Sequence, residues 1–194
     1  MAGAFPSGLS NIDARTADIT DAVNRGADEI DIVLNRSAFL AGDEKRAFEE
    51  IVASKEACGE AHLKVILEVG ELGSYDKIRQ ASMLAMAAGA DFIKTSTGKI
   101  SQASSLPRML CMAEAVRDFT YHTNIPVGIK AAGGIRTAKQ AWHYLVVIAE
   151  TLGTDWLNPE RFRIGASSLL NDVLLQLKHL DSGYYSGPDY VTVD

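Results

Sequence analysis

The sequence predicts an α/β fold in which short parallel strands alternate with helices, and three observations support this prediction. Five apolar or β-branched runs have the length of strands, and each is followed by a turn and a segment with helical periodicity. Capping residues and glycines mark the ends of the helical segments. Charged residues lie along one face of several strands. The predicted strands are residues 29–35, 63–70, 91–96, 125–131 and 161–166.

Helix boundaries are the clearest local signals in the chain. Ser, Thr, Asn and Asp accept hydrogen bonds from the free N–H groups of a first helical turn, and glycine readily takes the left-handed conformation that ends a helix. The residues predicted to begin helices are Ser10-Asn11-Ile12-Asp13, Gly42-Asp43, Ser74, Ser104-Ser105, Thr137 and Ser167-Ser168, and the glycines predicted to end them are Gly26, Gly59 and Gly89. Regular alternation of strand and helix is typical of parallel βα units, either in a barrel or in a doubly wound sheet.

Charges along one strand face favour the barrel. Asp31 shares a face with Glu29, and Lys64 shares a face with Glu68. A parallel sheet covered by helices on both faces has little use for such side chains, whereas the inward residues of a barrel surround its active site. The predicted fold is therefore a TIM (βα)8-type barrel. We expect Asp31, Lys64, Glu68, Lys94 and Lys130 to form one inward cluster. An alternative interpretation of this cluster is a structural network of salt bridges.

A lysine in a strand suggests covalent chemistry. Lys94 ends the apolar run Phe92-Ile93 and Lys130 ends Gly128-Ile129, both in predicted strands. Burial disfavours the charged form of an amine and lowers its pKa, and each lysine would further lower the pKa of the other. A neutral amine is a nucleophile that forms a Schiff base with a carbonyl substrate.

Small-residue loops follow three of the predicted strands. Such loops let backbone N–H groups approach an anion closely, and the loops after the last two strands of a TIM barrel commonly bind phosphate. The alternative is that they are only tight βα turns. The candidate anion-binding residues are Gly98, Lys99, Gly133, Gly134, Gly165, Ser167 and Ser168.

Composition narrows the function classes. The chain has 194 residues, 47% of them hydrophobic, and a net charge of −6, which predicts one globular core and argues against nucleic acid or an anionic membrane as partner. A small anionic substrate remains compatible with this charge. The four histidines and two cysteines have no metal-ligand spacing. We therefore expect a cytoplasmic protein with reduced thiols and without a bound metal.

Several longer motifs occur in a fixed order. They are Phe5-Pro6, Asp28-Glu29-Ile30-Asp31-Ile32-Val33, Lys64-Val65-Ile66-Leu67-Glu68, Gly70-Glu71-Leu72, Phe92-Ile93-Lys94-Thr95-Ser96-Thr97-Gly98-Lys99, Lys130-Ala131-Ala132-Gly133-Gly134-Ile135-Arg136 and Arg163-Ile164-Gly165-Ala166-Ser167-Ser168. In these motifs the chain resembles the deoxyribose-phosphate aldolase family of class I aldolases. The resemblance extends over essentially the whole chain.

The resemblance implies specific roles. Lys94 would form the Schiff base, Lys130 would be the neighbouring cation, and Asp31 would be the carboxylate of a proton relay. The glycine-rich loops would surround the sugar phosphate, with Lys64 and Glu68 as polar support. The implied reaction is reversible cleavage of 2-deoxy-D-ribose 5-phosphate to acetaldehyde and D-glyceraldehyde 3-phosphate, and it requires no cofactor.

The chain also departs from the family pattern. Family members have further strands ahead of Phe5-Pro6, so we expect an incomplete barrel of about five full βα units over residues 1–180 and a mobile tail over residues 181–194. An incomplete barrel leaves a strand edge unpaired, and we expect the chain to associate with other copies and to have little activity alone. The alternatives are another Schiff-base sugar-phosphate aldolase and an inactive fragment that acts as an interaction module.

Overall fold

The computed structural model describes residues 2–101 and 103–187 and contains one parallel sheet. Its strands are β1 (Ala2–Gly3), β2 (Glu29–Val33), β3 (His62–Ile66), β4 (Phe92–Lys94), β5 (Gly128–Ala132) and β6 (Phe162–Gly165). They pair in sequence order from β1 to β6. A doubly wound sheet reverses its strand order, so this sequential order confirms the barrel-type topology.

Helices follow the strands in regular alternation. They are α1 (Ile12–Asn24), α2 (Arg36–Leu40), α3 (Glu44–Cys58), α4 (Tyr75–Ala87), α5 (Leu106–Thr123), α6 (Ala138–Leu152) and α7 (Ser168–Ser182), with a 3-10 turn at Thr154–Trp156. Within the described residues, β2 to β6 form five full βα units, whereas β1 is only two residues long. The prediction of an incomplete barrel is therefore confirmed. No helix in the described part of the chain is long and apolar enough to span a membrane.

Most predicted helix starts are observed as caps. The side chains of Asn11, Asp43, Ser74 and Thr137 accept hydrogen bonds from the first turns of their helices. Strand β1 and helix α2 were not predicted because each is too short to show a periodic pattern. The predicted tail begins inside α7, which ends at Ser182, and residues 188–194 lie outside the described residues.

Alternate strand residues pack against the surrounding helices. Because successive side chains of a strand point to opposite faces, one set of residues faces the helices and the other faces the barrel interior. The helix-facing set is apolar and fully buried, and it includes Ile30, Ile32, Leu63, Val65, Ile93 and Ile129. This layer contributes most to the hydrophobic core and leaves the inward positions free for polar residues.

Contacts across the interior show that the sheet is strongly curved. Arg163 on β6 donates a hydrogen bond to Glu29 on β2, although three strands separate β2 from β6 in the sheet. The Arg163 guanidinium lies 4.7 Å from the centre of the Phe92 ring, and the Lys64 ammonium lies 5.6 Å from the same centre. A flat sheet would hold β2 and β6 far apart. These side chains therefore fill the interior that the curved sheet encloses.

The Phe92 ring occupies space that a glycine leaves open. A Cβ atom added at Gly128 would lie 2.2 Å from the nearest Phe92 ring carbon. Because Phe92 is only 4% exposed, the ring has little room to move away. Gly128 is therefore required by packing in the barrel interior.

We expect the substitution Gly128→Ala to destabilise the protein by about 1–3 kcal/mol, the usual cost of overpacking a core. The measurement is urea unfolding followed by circular dichroism. Gly187→Ala is the control, because a Cβ atom there meets open space. Adding Phe92→Leu should restore part of the loss, and a G128A variant as stable as wild type would contradict this account of the interior.

Candidate active site

A cleft of about 390 Å³ opens at the carboxyl ends of β4, β5 and β6. In a (βα)8 barrel this end carries the active site. The residues that line the cleft are Lys94, Thr97, Gly98, Lys130, Ala132, Gly133, Gly134, Ile135, Arg136, Gly165, Ala166, Ser167 and Ser168. The cleft thus combines two strand lysines with the three small-residue loops that the sequence analysis selected.

Lys94 is the last residue of β4 and its side chain is 12% exposed. Its Nζ atom donates a hydrogen bond of 2.9 Å to Oδ2 of Asp31 on β2. The amine is therefore held at the base of the cleft by a carboxylate that lies two strands away. A small carbonyl compound that enters the cleft meets an oriented amine.

Asp31 joins two lysines. Its Oδ1 atom accepts a hydrogen bond of 2.8 Å from Lys64, which also donates a bond of 2.9 Å to Glu29. Burial alone would raise the pKa of Asp31, but the hydrogen bond from Lys64 and the charges of Lys94 and Lys64 hold that pKa below its ordinary value. Asp31 is therefore a carboxylate at neutral pH and can accept or relay a proton.

Lys130 lies beside Lys94, because the two residues are direct partners in the β4–β5 pairing. Burial and the nearby charges of Lys94 and Lys64 lower the pKa of Lys130. Within the described residues it forms no direct hydrogen bond or ion pair. The absence of a side chain at Gly165 leaves room for the Lys130 side chain, since a Cβ atom at Gly165 would lie 2.9 Å from Lys130 Cε. Lys130 therefore adds positive potential to the cleft next to the Lys94 amine.

The loops after β4 and β5 are tied together by hydrogen bonds and close packing. The hydroxyls of Thr95 and Ser96 donate to the Ala132 carbonyl at 3.0 and 2.6 Å. Gly133 has a φ of +91°, and a Cβ atom there would lie 2.4 Å from Ala103 Cβ and 2.8 Å from Ser96 Oγ. Only glycine fits this position. The two loops therefore form one surface in the cleft, to which Gly98 and Gly134 also belong.

The third loop leads into α7. Ser167 is the N-cap residue of this helix, and neither a side-chain cap nor an acidic residue occupies its first turn. Free N–H groups at the start of a helix favour an anion. With Ser168, Lys130 and Arg136 also lining the cleft, positive potential and hydrogen-bond donors converge on one volume.

The structure brings most of the predicted site residues together. Lys94, Lys130 and the predicted glycines and serines line the cleft, Asp31 contacts Lys94, and Lys64 contacts Asp31. Lys99 is not among the lining residues. Glu68 does not join the predicted inward cluster of charged residues. Its carboxylate contacts Thr97 and Arg36 instead. Glu68 follows the end of β3 and has a φ of +54°, so strand alternation no longer fixes its side-chain direction.

Three contributors were missed by the sequence analysis. Arg136 lines the cleft, and Glu29 and Arg163 complete the charged network below it. Glu29 lies two residues before Asp31, and therefore on the same strand face, which was the available signal. The contact between Glu29 and Arg163 spans 134 residues and has no local signal in the sequence.

Residues 2–174 match the protein family described as DeoC/LacD family aldolase. The chain belongs to this family. It is 47% identical to the deoxyribose-phosphate aldolase of Mus musculus over 186 residues, which cover 96% of this chain and 58% of the mouse protein. The chain thus spans less than two-thirds of the length of that relative.

Solved structures agree with the family assignment. A crystal structure from Toxoplasma gondii, provisionally named a deoxyribose-phosphate aldolase, superposes with a TM-score of 0.82 at 25% identity, covering 95% of this chain and 71% of that chain. The deoxyribose phosphate aldolase of Aeropyrum pernix, described as tetrameric, gives a TM-score of 0.65 at 24% identity, covering 94% and 68%. The second similarity shows a shared fold alone. Together they confirm the predicted incomplete TIM-type barrel.

We expect Asp31→Asn to cost about 3 kcal/mol at pH 7, the lower end of the range for breaking a buried ion pair, because Glu29 still contacts Lys64. The pKa of Asp31 is lowered from 3.8 by folding, so its stabilisation is complete above that pH and is lost as the pH falls through the lower folded value. The stability difference between wild type and variant should therefore narrow below pH 3.8.

Urea unfolding at pH 7 and in acid measures this effect. Asp18→Asn is the control, since Asp18 is exposed on α1 and forms no ion pair within the described residues. A difference between D31N and wild type that is constant with pH would show that the charge of Asp31 does not stabilise the fold.

Proposed function

We propose that this protein is a class I aldolase that cleaves 2-deoxy-D-ribose 5-phosphate reversibly to acetaldehyde and D-glyceraldehyde 3-phosphate. The observation that carries the proposal is the Lys94 amine, bonded to Asp31 at 2.9 Å and opening into a cleft lined by Lys130 and three small-residue loops. Membership of an aldolase family and the 47% identity to the mouse enzyme support the reaction class and the substrate.

The chemistry starts at the aldehyde carbon of the open-chain sugar. The unprotonated Lys94 amine attacks this carbon, and loss of water gives a protonated imine. A base removes the proton of the C3 hydroxyl, the C2–C3 bond breaks, and the imine accepts its electron pair as an enamine. D-glyceraldehyde 3-phosphate leaves. Protonation of the enamine at C2 and hydrolysis then release acetaldehyde and the free amine, so covalent attachment divides a difficult cleavage into easier steps.

The neighbouring charges support this sequence of steps. Asp31 contacts the Lys94 amine directly and links it to Lys64, and we assign it to the proton relay. Lys130 lies beside Lys94 on the neighbouring strand and adds positive potential next to the amine. No step of this reaction requires a metal or an organic cofactor.

The rest of the cleft suits a sugar phosphate. Gly98, Gly133 and Gly134 present backbone close to the cleft, and Ser167 and Ser168 begin α7. Such donors bind the oxygens of a phosphate without a positively charged surface on the whole protein. The substrate's phosphate would lie against these loops with its aldehyde carbon near Lys94. Lys99 remains a predicted contributor through its proximity in sequence to Gly98.

Association and location complete the proposal. The tetrameric relative from Aeropyrum pernix supports association of this chain with other copies. A net charge of −6 and two free cysteines suit a cytoplasmic enzyme of deoxyribonucleotide catabolism that does not engage nucleic acid.

Covalent trapping tests the role of Lys94. We expect acetaldehyde with borohydride to add one ethyl group to Lys94 of the 194-residue chain, located by digestion and mass spectrometry. Lys94→Arg should abolish the adduct, and Lys139→Arg, on the exposed side of α6, should leave it unchanged. Ethylation spread over surface lysines with Lys94 unmodified would refute the assignment. Trapping of a ketone donor such as dihydroxyacetone in place of acetaldehyde would indicate a different Schiff-base aldolase.

Lys130→Leu tests the activating charge. Because Lys130 is the cation beside the Lys94 amine, we expect its loss to impair amine activation and proton transfer, and to lower the rates of trapping and of cleavage by about 10²-fold or more. Lys139→Leu is the matched control for loss of a lysine. Unchanged rates in K130L would exclude this role.

A further inference from the structure

A buried carboxylate joins the loop after β4 to the loop after β3. Both oxygens of Glu68 accept from the Thr97 backbone N–H, at 3.2 and 3.3 Å, and the Thr97 hydroxyl donates to Oε2. The side chain of Glu68 is 1% exposed. One bifurcated bond from the Thr97 N–H and one bond from its hydroxyl, both to a single buried carboxyl group, make this a strong and specific connection.

Arg36 extends the connection to the N-terminal segment. Its guanidinium lies 3.5 Å from Glu68 Oε2 and 2.9 Å from Glu71 Oε2, and it donates to the carbonyls of Pro6 and Ser7 at 3.3 and 2.9 Å. Arg36 thus holds the segment before α1 and the loop after β3 together. The negative charge of Glu68 is balanced by Arg36, and its remaining acceptor capacity is directed at Thr97.

The backbone at Glu68 has an unusual conformation. Its φ of +54° lies in the left-handed region that residues with a side chain seldom adopt. Such a conformation persists only where its surroundings fix it, and it occurs preferentially at functional sites. Here it turns the Glu68 carboxylate toward the β4 loop, away from the lysine cluster.

Thr97 transmits this contact to the cleft. Its hydroxyl donates to Glu68 and accepts from the Lys99 backbone N–H at 3.1 Å, which closes a turn around Gly98. Thr97 and Gly98 both line the cleft, and Lys94 lies only three residues before Thr97. The orientation of the Gly98 backbone is therefore coupled to the Glu68 carboxylate.

We infer that Glu68 is a positioning residue that acts through Thr97 to orient the 97–99 loop toward the phosphate of the substrate. The inference rests on the proposed function for the identity of the anion. A purely structural ion pair would fix the fold without affecting one part of the substrate more than another. A positioning role affects the phosphate end of the substrate and leaves the carbonyl end at Lys94 unchanged.

The test compares phosphorylated and unphosphorylated substrate. Glu68→Gln keeps the size of the side chain and removes the charge that orders Arg36 and Thr97. We expect E68Q to raise the KM for 2-deoxyribose 5-phosphate about 10-fold, the loss from weakening one charged hydrogen bond, with kcat nearly unchanged. The kcat/KM for 2-deoxyribose and acetaldehyde trapping at Lys94 should stay at wild-type levels.

Matched variants distinguish loss of the Glu68–Thr97 contact from a general loss of charge and from misfolding. Glu71→Gln is the control, because Glu71 also binds Arg36 but is 43% exposed and is not a partner of Thr97 among the described residues. Thr97→Val should reproduce the effect of E68Q, and Thr97→Ser, which keeps the hydroxyl, should restore most of the affinity. If E68Q does not fold, the two Thr97 variants decide the question.

Two further measurements keep this test separate from the proposed function. Hydrogen exchange of segment 95–100 should be faster in E68Q, and weak binding of inorganic phosphate should be lost, neither of which requires turnover. A wild-type chain that binds phosphate but does not trap acetaldehyde at Lys94 would refute the proposed function alone. An equal loss for both sugars, a loss of trapping in folded E68Q, or unchanged exchange and phosphate binding would overturn the positioning role.

Discussion

A chain of charges inside the barrel is the constraint on which the rest of the structure depends. It passes from Arg163 through Glu29, Lys64 and Asp31 to Lys94 and connects β6, β2, β3 and β4. Desolvated charges are costly unless each has a partner of opposite sign, so the strands must curve until those partners meet. The curvature that pairs these groups also closes the base of the cleft and aims the Lys94 amine into it.

The same network explains why two lysines on neighbouring strands have different surroundings. Lys94 contacts the Asp31 carboxylate, whereas Lys130 is half-buried beside Lys94 without a direct anionic partner within the described residues, and its pKa is lowered. An amine next to a base and a second amine next to that pair form a site that can hold and move protons. Such a site has the groups that the Schiff-base chemistry proposed above requires.

In the loops of the cleft, two glycines let the backbone lie close to neighbouring side chains. Gly133 has no room for a side chain between Ala103 and Ser96, and Gly165 leaves room for Lys130. Glu68 also fixes the loop after β4, because it accepts hydrogen bonds from Thr97 and lies outside the lysine cluster. The amine at the strand ends and the small-residue loops of the cleft are therefore held by separate sets of contacts, which allows each to be perturbed alone.

The sequence by itself determined the elements whose signals are local. Caps such as Thr137 predicted the βα alternation, charges along one strand face predicted the barrel topology, and the lysines in two strand runs predicted the two lysines that line the cleft. Tertiary structure decided what depends on distant parts of the chain: the pairing of Glu29 with Arg163, the space at Gly128 for Phe92, and the direction of Glu68. Strand alternation predicts a face only while the strand continues, and β3 ends at Ile66, two residues before Glu68. Beyond that point the left-handed backbone and the position of Arg36 fix the carboxylate, and neither can be read from the local pattern.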